Sequence, residues 1–130
     1  MKNPFAIAAL ALATTLQAGD WPQFRGPSAQ GHANVKLPIN ISADSPHLKW
    51  KAPVPGSGWS SPVIVGGKIY LTSAIEKGEG LSLNALCLNA DDGKLIWNTP
   101  IFGIEKAPRM HRKNSQASPT PIVDGKQVYV

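Results

Sequence analysis

The residues best suited to bind a ligand form a short polar run late in the sequence: His111, Arg112, Lys113 and Asn114. Their side chains can donate hydrogen bonds, and the cations can attract an anion. No second histidine, cysteine or carboxylate lies at metal-ligand spacing from His111, so the run predicts no metal site. Three of its members, His111, Arg112 and Asn114, are candidates for direct ligand contact at the mouth of a channel; a solvated loop of mixed charge is the alternative.

Other reactive residue types lack the spacing that chemistry requires. Asp91 and Asp92 are adjacent, but no further oxygen ligands follow at alternating positions, so the pair favours a turn over a calcium site. The serines near positions 60 and 115 have no His–Asp arrangement around them, and no catalytic residue is predicted. Trp59 precedes a predicted strand and joins the candidate ligand contacts, with packing as the alternative for this ring.

The composition of the 130-residue chain predicts a folded domain with many turns. Hydrophobic residues make up 42% and charged residues 16%, a balance that argues against disorder. Glycine and proline number 12 each, which favours short strands joined by turns. The net charge is +5, but the basic residues are scattered along the chain, so nucleic-acid binding is not predicted.

The first 18 residues have the pattern of a cleaved signal peptide. Lys2 gives a basic start, residues 5–16 are apolar or small, and Ala18 offers a cleavage site. The apolar run is too short to span a bilayer, so no stable membrane span is predicted. We therefore expect a periplasmic or secreted protein; a buried N-terminal helix is the alternative.

An internal repeat indicates the architecture. Residues 48–56 match residues 95–103 at an offset of 47, and residues 61–71 match residues 120–130 at an offset of 59. The two offsets differ by 12, which places an insert of 12 residues, at 104–115, in the second copy. Periods of this size are typical of propeller blades or helical solenoids. Frequent Pro and Gly between runs rich in Val, Ile and Tyr favour strands.

One repeat divides into four antiparallel strands, which is the composition of a propeller blade. The predicted strands lie at residues 61–65, 68–73, 83–89 and 94–99, with a hairpin at 66–67, a loop at 76–80 and a turn at 90–93. The fold class is therefore all-β, a β-propeller of four-stranded antiparallel blades, of which the first one to two are present.

Residues 88–97 (LNADDGKLIW) resemble the tryptophan-docking motif of pyrroloquinoline-quinone-dependent dehydrogenases and their non-enzymatic relatives. Asn89 and Asp92 replace the usual Asp and Thr of that motif, and both can make turn hydrogen bonds. The resemblance implies that Trp50 and Trp97 are docking residues that pack between adjacent blades, and that Gly93 belongs to the docking turn.

The resemblance also implies how the chain is divided. Residues 20–27 resemble the mature N-terminus of secreted propellers of this type, and residues 58–62 and 113–121 resemble the starts of their first two inner strands. We expect a signal peptide at 1–18, an N-terminal extension at 19–47 and propeller blades of this quinone-like type at 48–130. The second copy stops in mid-strand at Val130, so the blades are expected to be incomplete at that end.

Two functions are compatible with such a propeller. The first is an exported binding or scaffold domain that holds a protein, peptide or saccharide on one face, with no cofactor in these residues. The alternative is an alcohol or sugar dehydrogenase that uses the quinone and calcium, with catalytic residues outside this stretch. Such dehydrogenases carry an adjacent cysteine pair and a carboxylate-rich calcium site, whereas Cys87 is the only cysteine here. The sequence favours the binding domain.

Overall fold

The computed structural model describes residues 19–42 and 44–130, which form six β-strands and no helix. The strands are β1 (Val63–Val65), β2 (Lys68–Lys77), β3 (Gly80–Asn89), β4 (Leu95–Ile104), β5 (Ile122–Asp124) and β6 (Gln127–Tyr129). The first four form one antiparallel sheet in the order β1-β2-β3-β4, and β5 pairs with β6. The predicted all-β class is confirmed for the described residues. The predicted signal peptide lies outside them.

The hairpin between β1 and β2 follows from two adjacent glycines. Gly66 and Gly67 have φ angles of 57° and 72°, a left-handed conformation that a two-residue hairpin turn requires and that glycine adopts without steric cost. Val65 pairs directly with Lys68 across this turn. The strand before the turn is shorter than predicted, because β1 begins only at Val63.

The prediction of a loop at residues 76–80 is wrong. β2 and β3 continue into this region and pair as far as Lys77 and Gly80, so that only Gly78 and Glu79 form the turn. Gly78 has a φ of 61°, which permits so tight a connection. The two strands consequently have ten residues each, longer than the sequence pattern predicted.

The turn between β3 and β4 is held by its own side chains. Asn89 Oδ1 accepts the backbone N–H of Asp91 at 2.7 Å, and Asp92 Oδ1 accepts that of Lys94 at 3.0 Å. Lys94 Nζ lies 2.8 Å from the other oxygen of Asp92, and this hydrogen bond lowers the pKa of that carboxyl. Gly93 has a φ of 71°, which lets the chain reverse. The turn predicted at residues 90–93 is therefore present.

The outer strand β4 runs past its predicted end at residue 99 to Ile104 and passes through Pro100. Asn84 pairs with Pro100 while Leu83 pairs with Phe102, so Ile101 is an extra, bulged residue. Proline is tolerated in edge strands and near bulges because its missing N–H is not needed there. The predicted insert therefore starts one residue later, after Ile104.

The core is centred on β3, whose side chains are buried on both faces of the sheet. Leu86 and Cys87 are fully inaccessible, as is Val63 of the neighbouring hairpin. The segment 48–57, whose residues 48–54 match the outer strand of the repeat in sequence, forms no strand, and its Ser57 makes only an isolated bridge with Ala74 of β2. It packs on the sheet instead, and Ser73 donates its hydroxyl to the carbonyl of Pro55.

Residues 20–22 bond to β1 of the large sheet and to β5 of the small one. The backbone groups of Trp21 and Ile64 exchange hydrogen bonds of 2.6 and 2.9 Å, which adds a bridge beside β1. Pro22 accepts the backbone N–H of Val123 in β5 at 3.0 Å. Residues 20–22 therefore connect the four-stranded sheet to the β5–β6 hairpin. Over the described residues there is no helix of the length and apolarity needed to span a bilayer.

Candidate ligand-binding cleft

Trp59 is held by its backbone while its ring remains open to solvent. Its N–H lies 3.0 Å from the carbonyl oxygen of Ala117 and 3.0 Å from Ser115 Oγ. The preceding Gly58 lets the segment that carries Trp59 approach the segment that carries Ala117, since a Cβ atom on Gly58 would lie 2.9 Å from Ala117 O. The Trp59 side chain nevertheless keeps 59% of its surface exposed. A rigid backbone with an exposed indole is suited to contact with a ligand.

Asn114 is fixed by a small network of hydroxyl groups. Its Oδ1 accepts hydrogen bonds of 2.9 Å from the backbone N–H of Ser115 and from Ser118 Oγ. The hydroxyls of Ser115 and Ser118 are also 2.9 Å apart. Because Ser115 Oγ contacts Trp59 N as well, the same network positions both the asparagine and the tryptophan.

Between these two residues lies an open cleft of about 490 Å³, called here the Trp59 cleft. Trp59 and Asn114 line it together with Val54, Ser57, Leu71 and Met110, among others. Its volume is within the range of small-molecule sites, about 300–1,000 Å³. Its walls combine aliphatic, aromatic, hydroxyl and amide groups. The structure thus brings together two of the four predicted ligand contacts, which are 55 residues apart in sequence.

The other two predicted contacts lie in the same loop but outside the cleft lining. His111 and Arg112 are exposed. His111 accepts the backbone N–H of Asn114 through its carbonyl at 3.0 Å and that of Lys113 through Nδ1 at 3.2 Å. These bonds close the turn that places Asn114 in the lining of the cleft. His111 therefore has a structural contact that the sequence did not indicate.

Met110 is a lining residue that the sequence analysis missed. It is 46% exposed and adds a flexible apolar side chain to the lining. A lone methionine in a polar loop has no periodic pattern to mark it. The only available signal was its position beside the polar run at residues 111–114.

The residues expected to dock have distinct environments. Trp50 is half-buried and donates its indole N–H to the carbonyl of Ala90 at 3.0 Å. Its ring covers Gly93 of the β3–β4 turn. Trp97 is also half-buried, on β4, and its ring lies 6.1 Å from that of Tyr70 at 53°.

Cys87 pairs with both Tyr70 and Trp97 in the strand register, so the three side chains share one face of the sheet. Burial raises the pKa of the Cys87 thiol, despite the nearby charge of Lys68. Burial also raises the pKa of Tyr70, with a further contribution from Cys87. A raised thiol pKa disfavours the reactive thiolate, so Cys87 is suited to packing rather than to nucleophilic chemistry.

The described residues contain no ligand cluster for the calcium that the sequence resemblance associates with dehydrogenases. No three His, Cys, Asp or Glu side chains converge in residues 19–42 and 44–130. Asp91 and Asp92 are engaged with Lys49 and Lys94 at 2.8 Å.

Comparison of the chain with protein-family models, with curated proteins and with solved structures finds no match. Its function is therefore inferred from the geometry of the cleft and the pattern of the sequence.

Proposed function

We propose that the protein is an exported β-propeller that acts as a binding or scaffold domain and holds its ligand in the Trp59 cleft. The observation that carries the proposal is the exposed indole of Trp59 beside Asn114, with both residues fixed by Ser115. Exposed tryptophans with a rigid backbone are typical of recognition sites, because they offer a large contact area with little entropy to lose.

The propeller part of the proposal is supported by the repeat and by the sheet. The matches at offsets of 47 and 59 predict successive blades, and the four-stranded antiparallel sheet has the composition of one blade. Trp50 docks on the turn before β4, as a residue between blades would. Electron microscopy of the full-length protein should reveal a closed ring. An elongated stack of sheets would refute the propeller.

The binding site is tested with arrays of peptides and glycans probed with the full-length protein. Trp59→Ala should remove binding to whichever class responds, whereas Phe24→Ala should not. Phe24 is a matched control because its ring is 56% exposed and it does not line the cleft. Equal loss of binding in both variants, or no effect of Trp59→Ala, would contradict the proposed site.

The dehydrogenase hypothesis requires residues other than those described, since these supply neither a calcium site nor a cysteine pair. Assay of the full-length protein with pyrroloquinoline quinone, calcium and an alcohol or aldose distinguishes the two hypotheses. Quinone-dependent turnover would favour the dehydrogenase over a domain that only binds.

A further inference from the structure

The Trp59 cleft is bordered by a loop whose charge is strongly one-sided. Residues 105–114, called here the basic loop, contain Lys106, Arg109, Arg112 and Lys113 against the single acid Glu105. All five side chains are exposed. The ion pairs within the described residues are Lys49–Asp91 and Lys94–Asp92, so the cations of the basic loop form none there.

Two residues of the basic loop, Met110 and Asn114, line the Trp59 cleft. Arg109, Arg112 and Lys113 are each within two residues of one of these lining positions. Consecutive Cα atoms are about 3.8 Å apart, so their backbones lie within about 8 Å of the lining, comparable to the Debye length at physiological ionic strength. Lys106 is further away, near the β2–β3 turn, where Ala107 N–H bonds to Glu79 O. A ligand in the cleft therefore experiences the field of the nearer cations.

The uncharged part of the cleft favours a ligand with a flat apolar face and several hydroxyls. The face of an indole ring carries negative partial charge and attracts the polarised C–H groups of a sugar ring. Ser57 and Asn114 beside the indole offer hydrogen-bonding groups to hydroxyls. Single-stranded nucleic acid also combines stacking with negative charge, but its sites typically present several aromatics in succession. Among the described residues, Trp59 is the one aromatic that lines this cleft.

We infer that the Trp59 cleft binds an anionic polysaccharide, with a sugar ring stacked on Trp59 and its sulfate or carboxylate groups held by Arg109, Arg112 and Lys113. This inference rests on the proposed binding function and specifies the ligand class of the same cleft. A neutral glycan can stack on Trp59 but cannot pair with the cations of the basic loop. An acidic glycan can make both kinds of contact.

The test compares three polymers with one backbone: dextran, dextran sulfate and carboxymethyl dextran. Binding of each to the full-length protein is measured by interferometry at low and at physiological salt, with oligo-dT as the nucleic-acid probe. At least one anionic dextran should bind more tightly than dextran, and its affinity should fall as salt is raised. Preference for dextran sulfate over carboxymethyl dextran, or the reverse, identifies the anionic group.

Variants separate the two halves of the site. Trp59→Ala should weaken binding by about fivefold or more, the lower end for loss of a stacking aromatic. Arg112→Gln and Lys113→Gln should each weaken binding of the anionic polymer by about two- to fivefold, as for an exposed ion pair. Lys126→Gln, an exposed cation in the β5–β6 turn, is the matched control and should leave affinity unchanged. Melting temperatures verify that every variant is folded.

Each other outcome overturns the inference in a recognisable way. Equal binding of dextran and dextran sulfate, lost in Trp59→Ala, would retain the cleft but refute its preference for anions. Equal weakening by Lys113→Gln and Lys126→Gln would show diffuse attraction to the whole surface. Tighter binding of oligo-dT than of both anionic dextrans, lost in Trp59→Ala, would assign the cleft to nucleic acid. If none of the polymers binds, the inference of an anionic polysaccharide ligand is refuted. Binding to a peptide that is lost in Trp59→Ala would still support the proposed binding function of the cleft.

Discussion

Trp50 lies so close to Gly93 that a Cβ atom built on the glycine would be 2.6 Å from Cε3 of the indole. The same indole donates to the carbonyl of Ala90 at 3.0 Å, and the neighbouring Lys49 bonds to Asp91 at 2.8 Å. The segment before the sheet is thereby attached to the β3–β4 turn by stacking, a hydrogen bond and an ion pair. These three contacts can be separated by substitution.

Gly93→Ala should destabilise the protein by about 3 kcal/mol, combining a left-handed backbone with a steric clash. Gly67→Ala is the control, because Gly67 has nearly the same φ, 72° against 71°, with nothing within 4 Å of its added Cβ. It should cost only the backbone part, about 1–2 kcal/mol. Urea unfolding measures both. Equal losses would mean that the contact between Trp50 and Gly93 contributes nothing.

Trp50→Phe retains an aromatic ring but removes the N–H donor. It should lower the free energy of unfolding by about 1–2 kcal/mol, because the half-buried Ala90 carbonyl loses its side-chain donor. Lys49→Ala removes only the ion pair, whose side chains are 66% and 84% exposed, and should cost at most about 0.5 kcal/mol. A larger loss for Lys49→Ala than for Trp50→Phe would reverse this ranking.

The contact between Tyr70 and Trp97 should appear as a coupling energy. Their tilted rings are 6.1 Å apart on one face of the sheet, a geometry worth about 0.5–1.5 kcal/mol beyond burial. Single and double substitutions, Tyr70→Leu and Trp97→Leu, give this energy from urea unfolding. Losses that simply add would show that the rings do not interact.

Stability should decline at alkaline pH because of Tyr70 and Cys87. Burial raises the pKa of both groups in the folded protein, so the folded state retains their protons more strongly than the unfolded state. Their contribution is fully present below the ordinary thiol pKa of about 8.5 and is lost as pH rises through the raised values. Thermal unfolding between pH 7 and 11 measures the decline. Combining Cys87→Ala with Tyr70→Phe should flatten it, and an unchanged slope would contradict this origin.

Export should be visible at the N-terminus of the secreted protein. The basic start, apolar run and Ala18 predict that the mature chain begins at Gly19. Edman sequencing or intact mass gives the first residue. Recovery only of the chain beginning at Met1, from the cytoplasm, would support the alternative of an uncleaved N-terminal helix.

Local signals in the sequence were sufficient for the hairpin and the turn of the large sheet. Gly66-Gly67 and residues 89–93 encode their conformations through positive φ and short polar side chains, which act within a few residues. The ends of β2 and β3 were not predictable in this way. Gly78 permits either a loop or a two-residue turn, and pairing between the strands decides which one forms.

The cleft was predictable only in its parts. Trp59 and Asn114 were recognised by type, but their proximity depends on Trp59 N–H bonds to Ser115 and Ala117, contacts between distant segments. Met110 lines the cleft for the same reason, through the path of its loop. Such placement is set by tertiary structure, which neither periodicity nor residue type specifies.

The bond from Val123 to Pro22 has a consequence for how the chain acquires its shape during synthesis. Pro22 emerges from the ribosome about a hundred residues before its partner, which at about 5–20 residues per second is a delay of roughly 5–20 seconds. During that interval residues 20–22 can bond to Ile64 but not to β5. Closing so long a loop carries an entropic cost and slows folding. The join between the two sheets is therefore among the last contacts to form.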